Sequence, residues 1–252
     1  MLHAFDRHKS SFHIRYLGVK DELEPRVSSE DEITSLVFGP MDFLSPADNW
    51  RCWETILNHQ ASRKRGGLPP PDFFAPSFTP TACTLLFWPK KDKVEPDLHI
   101  VFSDTHGTRR SLLVELKWNA PLSGDDQLEK QWERYHEGEH AHSLHVFIAK
   151  RVEELQVDET SWACLGEGGA AASRLRLLSW HEFRHEIEGL GAAPDLPVPL
   201  RRWCRLTSHF LLQVGIRPFV GFGDSIRLAD AFPLAEGDPV TFWHGNAPST
   251  TF

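Results

Sequence analysis

The stretch EPDLHIVFSDTHGTRRSLLVELKW, residues 95–118, contains two strand-like runs and a set of charged residues at their ends. Leu98–Phe102 and Ser111–Lys117 are rich in the aliphatic and β-branched residues that are typical of strands. The segment between them contains the turn residues Asp104 and Gly107. This pattern predicts an antiparallel hairpin.

The charged residues of this stretch are predicted to meet at one end of the hairpin. Glu115 and Lys117 lie two apart on a strand, so both side chains leave the same face. Asp97 begins the preceding strand and is expected across from them. Two carboxylates form a hard-oxygen site of the kind that Mg²⁺ prefers, and the backbone carbonyl of Leu116 is a further candidate ligand. Such a metal would activate water for phosphodiester hydrolysis, with Lys117 orienting that water or offsetting the developing charge.

Outward from the hairpin, hydrophobic periodicity predicts helices and strands in the order α-α-β-β-β-α-β-β, followed by a C-terminal piece. This order is typical of an α/β fold in which helices cover a mixed sheet. The other predicted strands are Phe12–Leu17, Thr84–Trp88, Leu144–Ala149 and Leu175–Leu178. The predicted helices are Ser29–Phe38, one from Pro46, Asp125–His136, a short one from about His181 and Leu200–Val214.

The composition is that of a globular protein able to bury a substantial core: 252 residues, 40% hydrophobic and 25% charged. No apolar run approaches the roughly 18 residues that span a bilayer. The N-terminus lacks the apolar region of a secretory signal, so we expect a cytoplasmic protein. The four cysteines are Cys52, Cys83, Cys164 and Cys204. Because no two of them have the CxxC spacing of a metal or disulfide site, we expect reduced and mostly buried thiols.

The formal net charge of −8 counts mildly against a nucleic-acid partner, because excess acid repels a polyanion. A cluster of metal-binding carboxylates would itself add acid, and a basic groove can exist on an acidic protein. The strongest basic cluster of the N-terminal half is Arg63-Lys64-Arg65, at the head of a loop rich in Pro and Gly. We expect these three residues to contact substrate.

The motif EPD at residues 95–97, followed eighteen residues after Asp97 by ELK at residues 115–117, resembles the PD-(D/E)xK nuclease superfamily. Gln127 on the next predicted helix and a leading helix that contains Glu30 extend the resemblance over roughly residues 29–185. Gln131 lies one helical turn after Gln127, so the two amides are predicted to form a ladder that faces the site. The resemblance implies a restriction-endonuclease-like fold, a mixed central sheet flanked by helices with an αβββαβ core. It assigns residues 1–190 to a nuclease-like domain and residues 191–252 to a C-terminal extension.

The resemblance implies Mg²⁺- or Mn²⁺-dependent cleavage of DNA, and by analogy a place in bacterial restriction or anti-phage defence. A homodimer or a partner protein subunit would supply a second active site for the second strand. The implied roles are metal ligation by Asp97 and Glu115, catalysis by Lys117, an accessory acid at Glu30 and support of the site by Gln127.

Two further residues near the motif are predicted to contact substrate, namely Trp118, which follows Lys117, and His99, on the same strand face as Asp97. Two other functions fit the sequence. A nuclease-fold module that binds nucleic acid or protein within a larger complex is favoured by the net charge and the Phe-rich tail. The second alternative is a hydrolase that acts on RNA or nucleotides. It stays open because selection of ribose over deoxyribose depends on contacts to the 2′-hydroxyl, which no sequence motif identifies here.

Overall fold

A computed structural model of the chain describes residues 3, 30–58, 73–119, 124, 126–136, 142–150, 152 and 174–217. The chain divides into a compact unit of residues 1–217 and a second unit of residues 218–252. The strand predicted over Phe12–Leu17, the basic cluster Arg63-Lys64-Arg65, Cys164 and the Phe-rich tail lie outside the described residues. The domain boundary at residue 190 stays a prediction.

The described elements follow the predicted order, with one additional short helix. A 3₁₀ helix over Gly39–Phe43 directly continues the first α-helix. The α-helices are α1 (Glu30–Phe38), α2 (Pro46–Leu57), α3 (Gln127–His136), α4 (Trp180–Gly191) and α5 (Val198–Gln213). The strands are β1 (Ala82–Phe87), β2 (Leu98–Ser103), β3 (Arg109–Lys117), β4 (Ser143–Ala149) and β5 (Leu175–Ser179).

The five strands form one mixed sheet in the order β1-β2-β3-β4-β5. Strands β1, β2 and β3 are antiparallel, whereas β3, β4 and β5 are parallel. The predicted hairpin of β2 and β3 is therefore confirmed. Helix α3 makes the crossover between the parallel strands β3 and β4, as parallel pairing requires. The coarse prediction of an α/β fold with a mixed sheet flanked by helices is also confirmed.

Sequence signals at the helix starts explain where two of the helices begin. The Ser45 side chain accepts a hydrogen bond from the Asp48 N–H, and proline follows Ser45 at the first helical position, as predicted. Helix α4 begins with a capping box in which Ser179 and Glu182 satisfy each other's backbone N–H groups. This cap starts the helix at Trp180, and the helix runs for 12 residues rather than as the short helix that we predicted.

The main core lies between the sheet and the helices and is dominated by aromatic rings. Phe38 packs against Trp53, Trp180 and Phe183, with ring centroids 5.5–6.3 Å apart. All four side chains are at most 1% exposed. Burial of this apolar area is the main stabilising contribution to folding, roughly 1.5–3 kcal/mol for each large side chain.

Helix α5 packs on this same core through its apolar face. The Trp203 indole N–H donates to the Val37 carbonyl of α1 at 2.9 Å. Gly191, in the last turn of α4, lies against Cys204, where a Cβ would approach the Cys204 Cβ to 3.0 Å. The absence of a side chain at residue 191 therefore allows α4 and α5 to approach closely.

Two further sequence predictions concern thiols and membrane segments. The three described cysteines, Cys52, Cys83 and Cys204, are free, and Cys52 and Cys204 are buried. Within the described part of the chain, the helices are too short or too polar to cross a bilayer.

Candidate active site

The end of the β2–β3 hairpin places Asp97 beside the last residues of β3. Leu98 pairs with Val114 in the antiparallel register, so the preceding residue, Asp97, lies across from Glu115. The Asp97 carboxylate accepts a hydrogen bond from the Leu116 N–H at 2.7 Å. The Asp97 carbonyl also accepts a hydrogen bond from the Trp88 N–H at 3.0 Å. Hydrogen bonds therefore hold both the side chain and the backbone carbonyl of Asp97.

The loop that leads from β1 into Asp97 has an unusual backbone. Trp88, Asp92 and Lys93 have positive φ angles of 44°, 55° and 84°. Residues with a side chain rarely adopt this region, and such positions persist where surrounding contacts hold them. Tyr135 of α3 supplies one such contact, because its hydroxyl donates to the Pro89 carbonyl at 2.5 Å.

Glu115 and Lys117 form a buried ion pair next to Asp97. The Lys117 ammonium lies 2.9 Å from one Glu115 oxygen, and the two side chains are 12% and 3% exposed respectively. Glu30, the first residue of α1, approaches from the opposite side. One of its oxygens lies 3.6 Å from the Lys117 ammonium, and the other accepts the Trp118 N–H at 2.7 Å. Three segments that are distant in sequence therefore meet at the end of β3.

Two side-chain amides of helix α3 donate hydrogen bonds to the Glu115 carboxylate. Gln127 donates to one oxygen and Gln131 to the other, both at 2.7 Å. The Gln131 carbonyl oxygen lies 3.2 Å from Nε2 of His145 on β4. Since that oxygen can only accept, we assign the proton of the neutral imidazole to Nε2. His145, Gln131 and Glu115 thus form a continuous buried chain of hydrogen bonds.

Burial and like charges raise the pKa values of both central carboxyls. Burial raises the pKa of Asp97 well above its usual range, and the charge of Glu115 raises it further, against the Leu116 N–H and Lys117. Burial likewise raises the pKa of Glu115, although Lys117 and Gln131 oppose it. Burial alone would lower the pKa of Lys117, but Glu115, Glu30 and Asp97 outweigh it and raise that pKa. The site carries more acid than its lysine neutralises.

The buried His145 predicts a loss of stability in mild acid. Burial lowers the pKa of His145 from 6.5 to about 3 in the folded protein. Between those values the unfolded chain binds a proton that the folded chain does not, so the stability contribution is complete above the unfolded pKa and falls as the pH falls. We expect this contribution to decrease by about 1.4 kcal/mol per pH unit within that window.

Denaturant unfolding of wild type and His145→Gln across this pH range measures the effect. The variant lacks the titrating imidazole, so its stability should fall less steeply below the unfolded pKa. Both proteins keep His99, whose pKa is also lowered by burial, to about 4, so the difference between the two curves isolates His145. Parallel curves would contradict the prediction.

Two residues that we predicted to contact substrate make other contacts in the structure. His99 lies with Nε2 2.8 Å from the Ser111 hydroxyl, and its ring meets those of Tyr135 and His136 edge to face. Trp118 is only 5% exposed, with Trp180 against its ring. The Lys150 ammonium lies 4.1 Å from the Trp118 ring centre. A contact of either residue with substrate stays a prediction, as does that of Arg63-Lys64-Arg65.

The amides of Gln127 and Gln131, which the helical spacing predicts to face the site as a ladder, both hold the Glu115 carboxylate. Two participants of the site, His145 and Trp180, were not predicted. His145 lies within the buried strand β4, and a lone histidine among apolar residues is the signal that could have identified it. Trp180 donates from its indole N–H to the Lys117 carbonyl at 3.0 Å, and no motif marks that contact.

No protein-family model matches this chain, and neither a curated protein nor a solved structure matches it. Among the residues that the structure describes, no group of three or more His, Cys, Asp and Glu side chains is arranged to hold a metal ion.

Proposed function

We propose that this chain is a metal-dependent nuclease of the PD-(D/E)xK kind, a Mg²⁺-dependent DNA endonuclease with a restriction-endonuclease-like core. The observation that carries the proposal is the convergence of Asp97, Glu30 and Glu115 on a single lysine at the end of one hairpin. A buried excess of acid is costly to fold and has no structural advantage over apolar packing. Binding of a cation offsets that cost.

The donor set of the site fits a magnesium ion. Magnesium keeps several water ligands and is commonly held by only one or two carboxylates, so a group of three protein side chains is not required. Asp97 and Glu115 are the two carboxylates, and the backbone carbonyl of Leu116, the residue after Glu115, is a further candidate ligand. The pKa values of both carboxyls are raised by burial and by neighbouring acidic groups, which supports a site that gains from a nearby positive charge.

The roles of the protein groups follow from their charges and contacts. A bound divalent ion supplies Lewis-acid polarisation of a phosphoryl oxygen and an activated water. The raised pKa of Lys117 keeps its ammonium protonated at neutral pH, so Lys117 stabilises negative charge on the phosphate rather than removing a proton. Gln127 and Gln131 orient Glu115, and Glu30 holds Lys117 and the Trp118 backbone. Each of these groups is positioned before substrate arrives.

Incubation of the protein with supercoiled, linear and single-stranded DNA tests the proposal. We expect cutting in Mg²⁺ or Mn²⁺ and none in EDTA. Conversion of supercoiled circles to linear or nicked products would identify an endonuclease, and a parallel incubation with RNA separates the RNA hydrolase from the DNA enzyme. Failure to cut any of these substrates in either metal would count against the proposal.

Divalent metal should stabilise the folded protein if Asp97 and Glu115 bind it. At a metal concentration about 100 times the dissociation constant, the gain is about 2.7 kcal/mol, or several degrees in Tm. Because the folded-state pKa values of both carboxyls are raised, protons compete with the metal. The metal-induced shift should therefore increase as the pH rises.

Thermal unfolding with and without Mn²⁺, at a series of pH values, measures this shift. Asp97→Asn removes one ligand charge and should abolish most of the shift. Asp92→Asn is the matched control, because the Asp92 side chain is 70% exposed on a neighbouring turn. An equal shift in the two variants would place the bound metal elsewhere.

One observation favours a second function, a nuclease-fold module that binds nucleic acid or protein without cleavage. Both oxygens of Glu115 already accept hydrogen bonds from α3, and one also contacts Lys117, so the carboxylate is satisfied without a metal. A structural network of this kind needs no cation. Absence of metal-dependent stabilisation would support the binding module.

A further inference from the structure

The segment from Val198 to Arg217 has a charge composition unlike that of the whole chain. It contains four arginines and a histidine, and neither aspartate nor glutamate, in a protein of formal net charge −8. Helix α5 occupies most of this segment. Such a local excess of one sign on an acidic protein indicates an interaction surface for the opposite charge.

The periodicity of α5 separates this charge from the apolar residues. Its inner face is buried on the core. Its outer face carries Arg202, Arg205, Leu206 and His209, which are all exposed. The spacing of three and four residues aligns the two arginines and the histidine in one row. We call these four residues the arginine face.

The arginines of this segment differ in what they already bind. Arg201 is committed to the fold, because its guanidinium donates to the carbonyls of Pro194 and Leu196, both at 2.9 Å. Arg202 and Arg205 make no hydrogen bond or ion pair with any described residue. Their guanidinium groups are therefore available to a partner from outside the described part of the chain.

We propose that the arginine face binds the phosphate backbone of duplex DNA. From Arg202 to His209 the helix advances about 10 Å, which corresponds to about three nucleotide steps along the axis of duplex DNA. Arginine in particular favours phosphate, because its planar fork of donors binds the oxygens in pairs. The proposal rests on the proposed function only for the choice of DNA as the polyanion.

The active site itself cannot supply this attraction. Asp97, Glu115 and Glu30 surround one lysine there, so a polyanion is repelled until cations compensate. Helix α5 contacts α1 at Val37, roughly 10 Å along the helix from Glu30, since the two residues are seven positions apart. The arginine face, on the outer side of the helix that packs on α1, would supply the attraction that the site lacks.

An anionic membrane is the competing partner for a basic helix. Helices that lie on membranes insert a broad apolar face between the lipids. In α5 the apolar face is already buried against the core, and the arginine face itself contributes one apolar side chain, Leu206, which is 52% exposed. The structure therefore favours DNA over a lipid surface.

Binding of the full chain to a fluorescently labelled duplex in EDTA, at increasing salt concentrations, tests the proposal without requiring cleavage. The variant is Arg202→Gln combined with Arg205→Gln, and the control is Arg109→Gln, an exposed arginine at the opposite end of β3. We expect the double variant to lose about tenfold or more in affinity. The slope of log K against log salt should become shallower by about two. The control should bind as wild type does.

Unchanged affinity and slope in the double variant would overturn the proposal, as would failure of the wild type to bind the duplex. Binding to anionic phospholipid vesicles, but not to DNA, would assign the face to a membrane and also overturn it. A protein that binds DNA through these arginines but never cuts it would refute only the nuclease. Thermal unfolding checks that the variants fold, as expected for exposed side chains.

Discussion

Replacement of Lys117 by alanine should lower the rate of metal-dependent DNA cleavage by about 100- to 1,000-fold. The ammonium is held within 2.9 Å of Glu115 and 3.6 Å of Glu30, at the mouth of a site where phosphate would bring still more negative charge. Without it, nothing in the charged cluster offsets that charge except the metal. Initial rates on supercoiled DNA in Mn²⁺ measure the loss.

Lys130→Ala is the matched control for this variant. Lys130 lies on α3, which also holds Glu115, but its side chain is 60% exposed and, among the residues that the structure describes, pairs with Asp126 in the adjacent turn. A surface pair of this kind contributes little to stability, so we expect wild-type rates. Metal-dependent cleavage retained by Lys117→Ala would contradict the proposed mechanism, and a normal unfolding curve would show that the fold is intact.

Gln131→Leu should destabilise the metal-free protein by about 2–6 kcal/mol. The substitution removes the donor to one Glu115 oxygen and the acceptor for the His145 N–H, and both groups are buried. Each buried polar group that loses its partner costs about 1–3 kcal/mol. Denaturant unfolding in EDTA measures the difference.

Gln127→Leu provides the comparison within the same helix. Gln127 donates to Glu115 over the same distance of 2.7 Å, but it is half-buried, and the oxygen that it contacts also pairs with Lys117. The loss should therefore be about 1 kcal/mol. If the two variants lost equal free energy of unfolding, the hydrogen bonds that link Glu115 to His145 through Gln131 would contribute no more stability than the single Gln127 contact.

The sequence predicted the arrangement of the site where local patterns determine it. The hairpin turn and strand alternation placed Asp97 across from Glu115, and the period of two placed Lys117 beside it. The acidic start of α1 does not by itself assign Glu30 to the site, because carboxylates at a helix N-terminus also stabilise the helix dipole. The contact between Glu30 and Lys117 depends on how α1 packs across the sheet, which no local pattern specifies.

Other parts of the site depended on tertiary contacts. Gln131 and His145 lie on different elements, and their contact depends on the parallel pairing of β4 with β3 and on the crossover helix between those strands. The burial of Trp118 depends on Trp180, which is 62 positions away in the chain. Residue type indicated that these groups were amphipathic or polar, but not which partner each would meet.

The contacts that fix Asp97 and Glu30 have a consequence for how this site can diverge between related sequences. Both carboxylates are held by the amides of residues 116 and 118, which every amino acid except proline provides. Substitution of either side chain by most others leaves the donor in place. Part of what shapes the site is therefore invisible to any comparison of residue identities, and two sequences could share it while sharing few letters.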